Sequence, residues 1–173
     1  QRAISEQTNS LFLKYVNKFL GKKYPLSLGI RSAKNDIILL TEANTIPSSF
    51  NWISEMVKGF TDKKQIVLGF TAYETKKGFL NTLIHYENQT TAMNYLGLAM
   101  LGNPYMGIGN NLAYSREMFF KEGGFISQYN IPVGEDDLFI NKVANSRNTS
   151  VVINSDSINL AAPKERLAEW IIQ

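Results

Sequence analysis

With 173 residues, 44% of them hydrophobic, the chain is long enough for one core and too short to make two domains a comfortable reading. The formal charge of +3 is mildly basic, but the lysines are scattered in pairs (Lys22-Lys23, Lys63-Lys64, Lys76-Lys77), a pattern of solvated surface rather than of a nucleic-acid footprint, so no nucleic-acid partner is expected. The absence of cysteine excludes disulfides and thiolate metal sites, the lone His85 excludes any mechanism needing two histidines, and no apolar run approaches the ~18 residues of a membrane span.

The first predicted element is an amphipathic helix, because Leu11, Phe12, Tyr15, Val16 and Phe19 recur at helical spacing and Gly21 follows as a stop. Pro25, Leu26, Leu28, Ile30 and Ala33 suggest a second short helix, ended by the turn signal Asn35-Asp36. Ile37 to Leu40 then reads as a strand covered on both faces, since its apolar residues do not alternate with polar ones. The strand breaks into Thr41, Glu42, Ala43 and Asn44. Pro47-Ser-Ser opens a helix through Trp52, Ile53, Met56 and Val57, with Trp52 expected in the core.

Gln65 to Ala72 reads as the next strand, and Lys77 to about Leu101 as a long helix that carries His85 as a partly buried structural residue. Met93, Met100 and Met106, with Tyr95 and Tyr105, read as irregular core. Gly107-Ile-Gly109 lets backbone approach a ligand closely and leads through Asn110 and Asn111 into a short apolar strand, a helix and the turn Gly123-Gly124-Phe125. Glu135, Asp136 and Asp137 stand at the head of a helix whose buried face is Leu138, Ile140, Val143 and Ala144. Acidic residues are favourable at a helix N-terminus, but three together repel one another, and two would satisfy the cap. The third suggests a metal, a sugar hydroxyl or a proton to be accepted. Ser150 to Ile153 reads as a last strand and Ala162 to Gln173 as the start of an amphipathic helix, with Trp170 either in the core or stacked on a sugar face.

The alternation of strand and helix implies an α/β domain with a largely parallel or mixed sheet and helices on both faces. In such sheets ligands sit beyond the carboxyl ends of the strands, where the Thr41 to Asn44 break falls.

The order of segments ILLTEANTIPSSFNWI, GIGNNLAYSREMFFKEGGF and GEDDLFINKVA resembles the family 2 glycosyltransferases of the GT-A fold, closest to a branch of Bacteroidetes-type bacteria. The resemblance spans roughly Lys22 to Trp170. It implies a GT-A-like α/β fold, mixed but mostly parallel, forming one partial domain over residues 1–173 that lacks the N-terminal nucleotide-binding strands. It also implies sugar transfer, usually with inversion, from a nucleotide-diphospho-sugar donor to a glycan or lipid-linked acceptor. The expected setting is bacterial polysaccharide or glycolipid synthesis at the cytoplasmic face of the inner membrane, with any membrane association made by segments absent from this chain.

By the same resemblance the acceptor's proton goes to a carboxylate of the Glu135-Asp136-Asp137 group. Alignment on the Glu-Asp pair picks Asp136, and ungapped alignment on the following Asp-Leu picks Glu135; Asp136 is preferred. Lys22 is expected near the diphosphate. Gly109, Asn110, Asn111, Asp137 and Trp170 are expected among the substrate-binding residues. Glu42-Ala43-Asn44 stands where the family carries Asp-x-Asp, so Glu42 and Asn44 would hold a divalent ion, magnesium or manganese, only weakly, because the amide removes one negative charge. The alternative expectation is a catalytically inactive sugar-nucleotide-binding or scaffold domain of the same fold.

Overall fold

The computed structural model describes residues 21–128, 131 and 133–171. The helix expected around residues 11–19 lies outside them. The described chain begins with helix α1 (Lys23–Ser32) and strand β1 (Ile37–Leu40), followed by β2 (Thr45–Pro47), α2 (Trp52–Lys58), β3 (Ile66–Leu68) and β4 (Thr71–Tyr73). It continues with α3 (Phe79–Met100), β5 (Leu112–Ser115), α4 (Arg116–Lys121) and α5 (Asp137–Val143). Strand β6 (Thr149–Val151), β7 (Asn159–Ala161) and α6 (Leu167–Ile171) complete it.

The strands form two mixed sheets, a four-stranded one in the order β1-β5-β3-β6 and a three-stranded one in the order β2-β7-β4. The expectation of a mostly parallel sheet is corrected: only β3 with β6 and β4 with β7 pair in parallel, whereas β5 is antiparallel to both β1 and β3, and β2 is antiparallel to β7. The physical reason lies in β5. Strands β1, β3 and β6 all run the same way, as alternating strands and helices lead one to expect, but β5 is inserted in reverse between β1 and β3 and turns one parallel contact into two antiparallel ones.

Helices cover both faces of the larger sheet, as the alternating apolar positions of β3 require. Ile66 and Leu68 join Leu112 and Tyr114 of β5 in a cluster with Ile30 of α1, Tyr95 and Leu96 of α3, and Phe139 and Ile140 of α5. Val67 and Ala113 point the other way, onto Trp52 and Met56 of α2. Strand β1 is less covered than its sequence suggests, with only Ile38 buried. Met93 and Met100 are also exposed and are not core, although Tyr95 beside them is buried. His85 is half-buried, its Nε2 3.2 Å from the Glu74 carbonyl.

The stretch read as one strand from Gln65 to Ala72 is two, because the chain leaves the larger sheet at Gly69 and enters the smaller at Thr71. Asn111 builds this corner. It is 1% exposed, its Nδ2 donates to the carbonyls of Phe70 and Ser157 (2.7 and 2.8 Å), and its Oδ1 accepts from Trp52 Nε1 (3.0 Å). A Cβ on Gly69 would overlap this amide, so glycine is the residue that fits there. Strands β2 and β7 were not visible in the sequence pattern. Each is three residues long, and β7 lies between β2 and β4 and pairs with both.

Because Asn111 satisfies three buried polar groups, Asn111→Ala should lower the free energy of unfolding by about 2–4 kcal/mol, read as a lower denaturant midpoint with an unchanged slope. An unchanged midpoint would remove Asn111 from its structural role.

Candidate functional site

The reversal of β5 places its amino end beside the carboxyl ends of its neighbours: Leu112 stands opposite both Leu40 of β1 and Leu68 of β3. Residues 107–111 and 41–44 are therefore brought to one end of the sheet. A cleft of about 500 Å³ opens there, walled by Lys22 and Leu26 at the start of α1, by Leu40 to Asn44, and by Gly109, Glu135 and Asp136. A neighbouring recess of about 290 Å³ shares Lys22, Glu135 and Asp136 and adds Asp137.

The acidic turn is held in place from behind by aromatic packing. Helix α4 is capped by Ser115, whose Oγ accepts from the Met118 amide, and ends at Gly123 and Gly124, both with positive φ. The Gly124 amide donates back to the Phe119 carbonyl, a helix stop that glycine adopts without steric cost. This turn drops Phe125 onto Phe119 and Phe139, with ring centroids 5.0 and 5.7 Å away. Phe139 also packs on Tyr114. Helix α5 has only seven residues and depends on this packing, through Phe139, Ile140 and Val143, for its position.

Asp136 stands at the N-cap position of α5 yet makes no side-chain cap to its own helix. Its Oδ2 instead accepts from the Gly109 amide at 2.8 Å, and a Cβ on Gly109 would overlap the carboxylate. Helix capping therefore does not account for this residue. Asp136 Oδ1 makes no hydrogen bond among the described residues. Burial, and after it the negative charge of Glu135, push the Asp136 carboxyl from 3.8 up to about 6, against the opposing effects of the Gly109 amide and Lys22. Burial and the Glu135 charge also raise Asp137.

Across the cleft, Lys22 Nζ pairs with Glu42 Oε1 at 2.6 Å and lies 3.9 Å from Glu135 Oε1. The hydrogen bond to Glu42, reinforced by the charges of Glu42, Glu135 and Asp136, raises the Lys22 pKa despite partial desolvation, so it is a cation throughout the physiological range. Asn44 is exposed at the cleft edge, its Oδ1 3.4 Å from Thr45 Oγ1.

Of the pair expected to hold a divalent ion weakly, Asn44 offers an uncharged amide oxygen and Glu42 is already in an ion pair. One Glu42 oxygen is engaged by a lysine ammonium, and no group of three histidine, aspartate or glutamate side chains converges on a common point among the described residues.

The structure thus brings together Lys22, Glu42, Asn44, Gly109, Glu135 and Asp136, with Asp137 in the adjoining recess. It does not bring three others to the cleft. Asn111 is the buried corner amide described above; Asn110 turns its carbonyl to Asn159 Nδ2 at 2.8 Å; and Trp170 lines a separate recess with Tyr73 and Glu87. Lys23 is the residue that sequence reasoning missed. Read as surface with its neighbour, it is fully buried behind the acidic turn, and only tertiary contact reveals it.

No protein-family model matches this chain, and a search of curated proteins returns no match.

The raised Asp136 pKa has a consequence for stability. A group that binds its proton more tightly folded than unfolded stabilises the fold below its unfolded pKa, and that stabilisation is lost as pH rises from about 4 through about 6. Asp136→Asn removes the buried charge, so the variant should match the parent at pH 4 and exceed it by about 2–3 kcal/mol at pH 8, measured by denaturant unfolding at both values. A variant less stable than the parent at pH 8 would show that the Asp136 carboxylate is not strained by burial.

Proposed function

We propose that the cleft is the reaction site of an inverting glycosyltransferase that moves a sugar from a nucleotide-diphospho-sugar to an acceptor hydroxyl. The observation that carries this reading is Asp136: a largely buried carboxyl with its proton affinity raised to about 6, one oxygen fixed by the Gly109 amide, in the wall of the cleft at the carboxyl end of β1. The segment resemblance supplies the reaction class.

In the proposed reaction the acceptor oxygen attacks the anomeric carbon, the carbon–oxygen bond to the diphosphate breaks, and the acceptor proton passes to Asp136. A carboxylate with pKa near 6 is ionised at neutral pH and basic enough to take a proton in a transition state. Glu135 is less suited as the base, because it faces the Lys22 ammonium at 3.9 Å. Lys22, the cation lining the cleft, would meet a phosphate oxygen by exchanging its bond to Glu42. The carboxylates around it suit sugar hydroxyls, which donate hydrogen bonds to them. Polysaccharide or glycolipid synthesis at a bacterial membrane face belongs to the same proposal; among the described residues no helix is long and apolar enough to cross a membrane.

The Lys22–Glu42 pair and the amide at Asn44 favour one second reading, a domain that binds sugar nucleotides without turning them over. Assay of the natural full chain against a panel of nucleotide sugars, with and without manganese, separates the two. Transfer or donor hydrolysis supports the enzyme, and binding without either supports the second reading. Asn44→Asp should raise manganese-dependent donor hydrolysis in a weakened enzyme and change nothing in a binding domain.

In the active case Asp136→Asn should lower kcat by about 10²- to 10⁴-fold, and Glu135→Gln by much less. A larger loss in Glu135→Gln would transfer the base role to Glu135. For the parent, kcat/KM should climb with pH up to about 6 and level off above it, because the base acts only when ionised.

A further inference from the structure

Two consecutive lysines open α1 and reach in different directions. Lys22 points into the cleft toward Glu42 and Glu135, and Lys23 turns inward and is 0% exposed. Lys23 Nζ donates to the backbone carbonyls of Ile131 at 2.6 Å and Val133 at 2.8 Å, more than 100 residues downstream. It forms no ion pair among the described residues.

Enclosing an ammonium is costly, and an apolar side chain of similar length would fill the same space without that cost. What an apolar side chain cannot do is bind two carbonyls at once. Both carbonyls belong to the loop that delivers Gly134, Glu135 and Asp136. Gly134 has φ +79°, and its own carbonyl accepts from the Leu138 amide at 3.1 Å, so the chain turns sharply between the Lys23 anchor and the start of α5. The acidic turn is thus gripped at two ends, by aromatic packing through Phe139 on one side and by Lys23 on the other.

We propose that Lys23 is the positioning residue of the acidic turn: its buried ammonium ties the carbonyls of Ile131 and Val133 to the start of α1 and so holds Asp136 against the Gly109 amide. One helix start then sets both walls of the cleft, Lys22 through the end of β1 and Lys23 through the loop opposite. The functional consequence rests on the reading of Asp136 as the working carboxylate, but the placement itself does not.

The test uses the natural full chain and no sugar nucleotide, so its failure is distinct from failure of the glycosyltransferase reading. It follows the Asp136 carboxyl titration by NMR and the exchange rate of the Gly109 amide in Lys23→Met, Lys23→Arg and Lys22→Met. The groups that face Asp136 are Glu135 and Asp137 on its own turn, Lys22 from the start of α1, the Gly109 amide from the loop before β5, and Tyr114 from β5.

Freed from its anchor, the turn should open to water. In Lys23→Met the Asp136 midpoint should therefore fall by about one pH unit, and Gly109 exchange should quicken on the order of ten-fold. Lys23→Arg, which keeps charge and donors, should restore most of both. Lys22→Met should move the midpoint upward, because it removes a nearby positive charge, and leave Gly109 exchange unchanged. A folded Lys23→Met with the parent's midpoint and exchange rate would overturn the proposal, as would Lys22→Met loosening Gly109 equally. If Lys23→Met does not fold, Lys23→Gln, which keeps one amide donor and loses the charge, is held to the same two criteria.

Discussion

Strand β5 runs against β1 and β3 and is hydrogen-bonded to both, and most of what is particular to this protein follows from that pairing. A reversed strand presents its amino end where its neighbours present their carboxyl ends. Here that end carries Gly109, Asn110 and Asn111, so a backbone amide, a tight glycine and a corner amide are delivered to the place where β1 breaks off. Asn111 then works inward, joining the two sheets and α2, and the Gly109 amide works outward, holding Asp136. Structural and chemical roles fall on residues two apart because the chain crosses from core to cleft between them.

The cleft concentrates opposing charge. Lys22 stands among Glu42, Glu135 and Asp136, and the carboxylates outnumber it, so the walls are acidic despite the chain's basic balance. Net charge describes the surface as a whole and says little about a site of this size. Asp136 holds its proton more tightly than an ordinary aspartate, because desolvation and the adjacent Glu135 both penalise its charged form. Such strain is tolerated only where surrounding structure over-determines the position. Phe139 packing, the Gly109 amide and the Lys23 anchor together do that.

The two lysines at positions 22 and 23 show how little local pattern says about burial. Side by side in sequence, they differ by about 100° around the helix, so one faces the cleft and the other the interior. The Met93 and Met100 positions make the same point in the other direction: apolar residues expected in the core are exposed, since α3 buries only the face that carries Ile84, Ala92, Tyr95 and Leu96.

From the sequence alone, the elements with strong local signals were legible: α2 behind Pro47-Ser-Ser, the long α3, the strand Ile37 to Leu40 with its abrupt polar end, and the acidic group heading α5. The grouping of Lys22, Glu42, Asn44 and Gly109 with the acidic residues as site candidates came from the order of segments and the family it resembles; residue pattern by itself marked only the polar break after β1, the glycines at 107 and 109, and the acidic group. Tertiary structure alone decided the reversal of β5, the short strands β2 and β7, and the assignment of Asn111 to the core and of Trp170 to a separate recess. It also decided that Lys22 rather than open space faces Glu42, and that Lys23 is buried. Each of these depends on contacts between residues far apart in the chain, and strand direction, burial and charge pairing are settled by such contacts and not by the propensities of neighbouring residues.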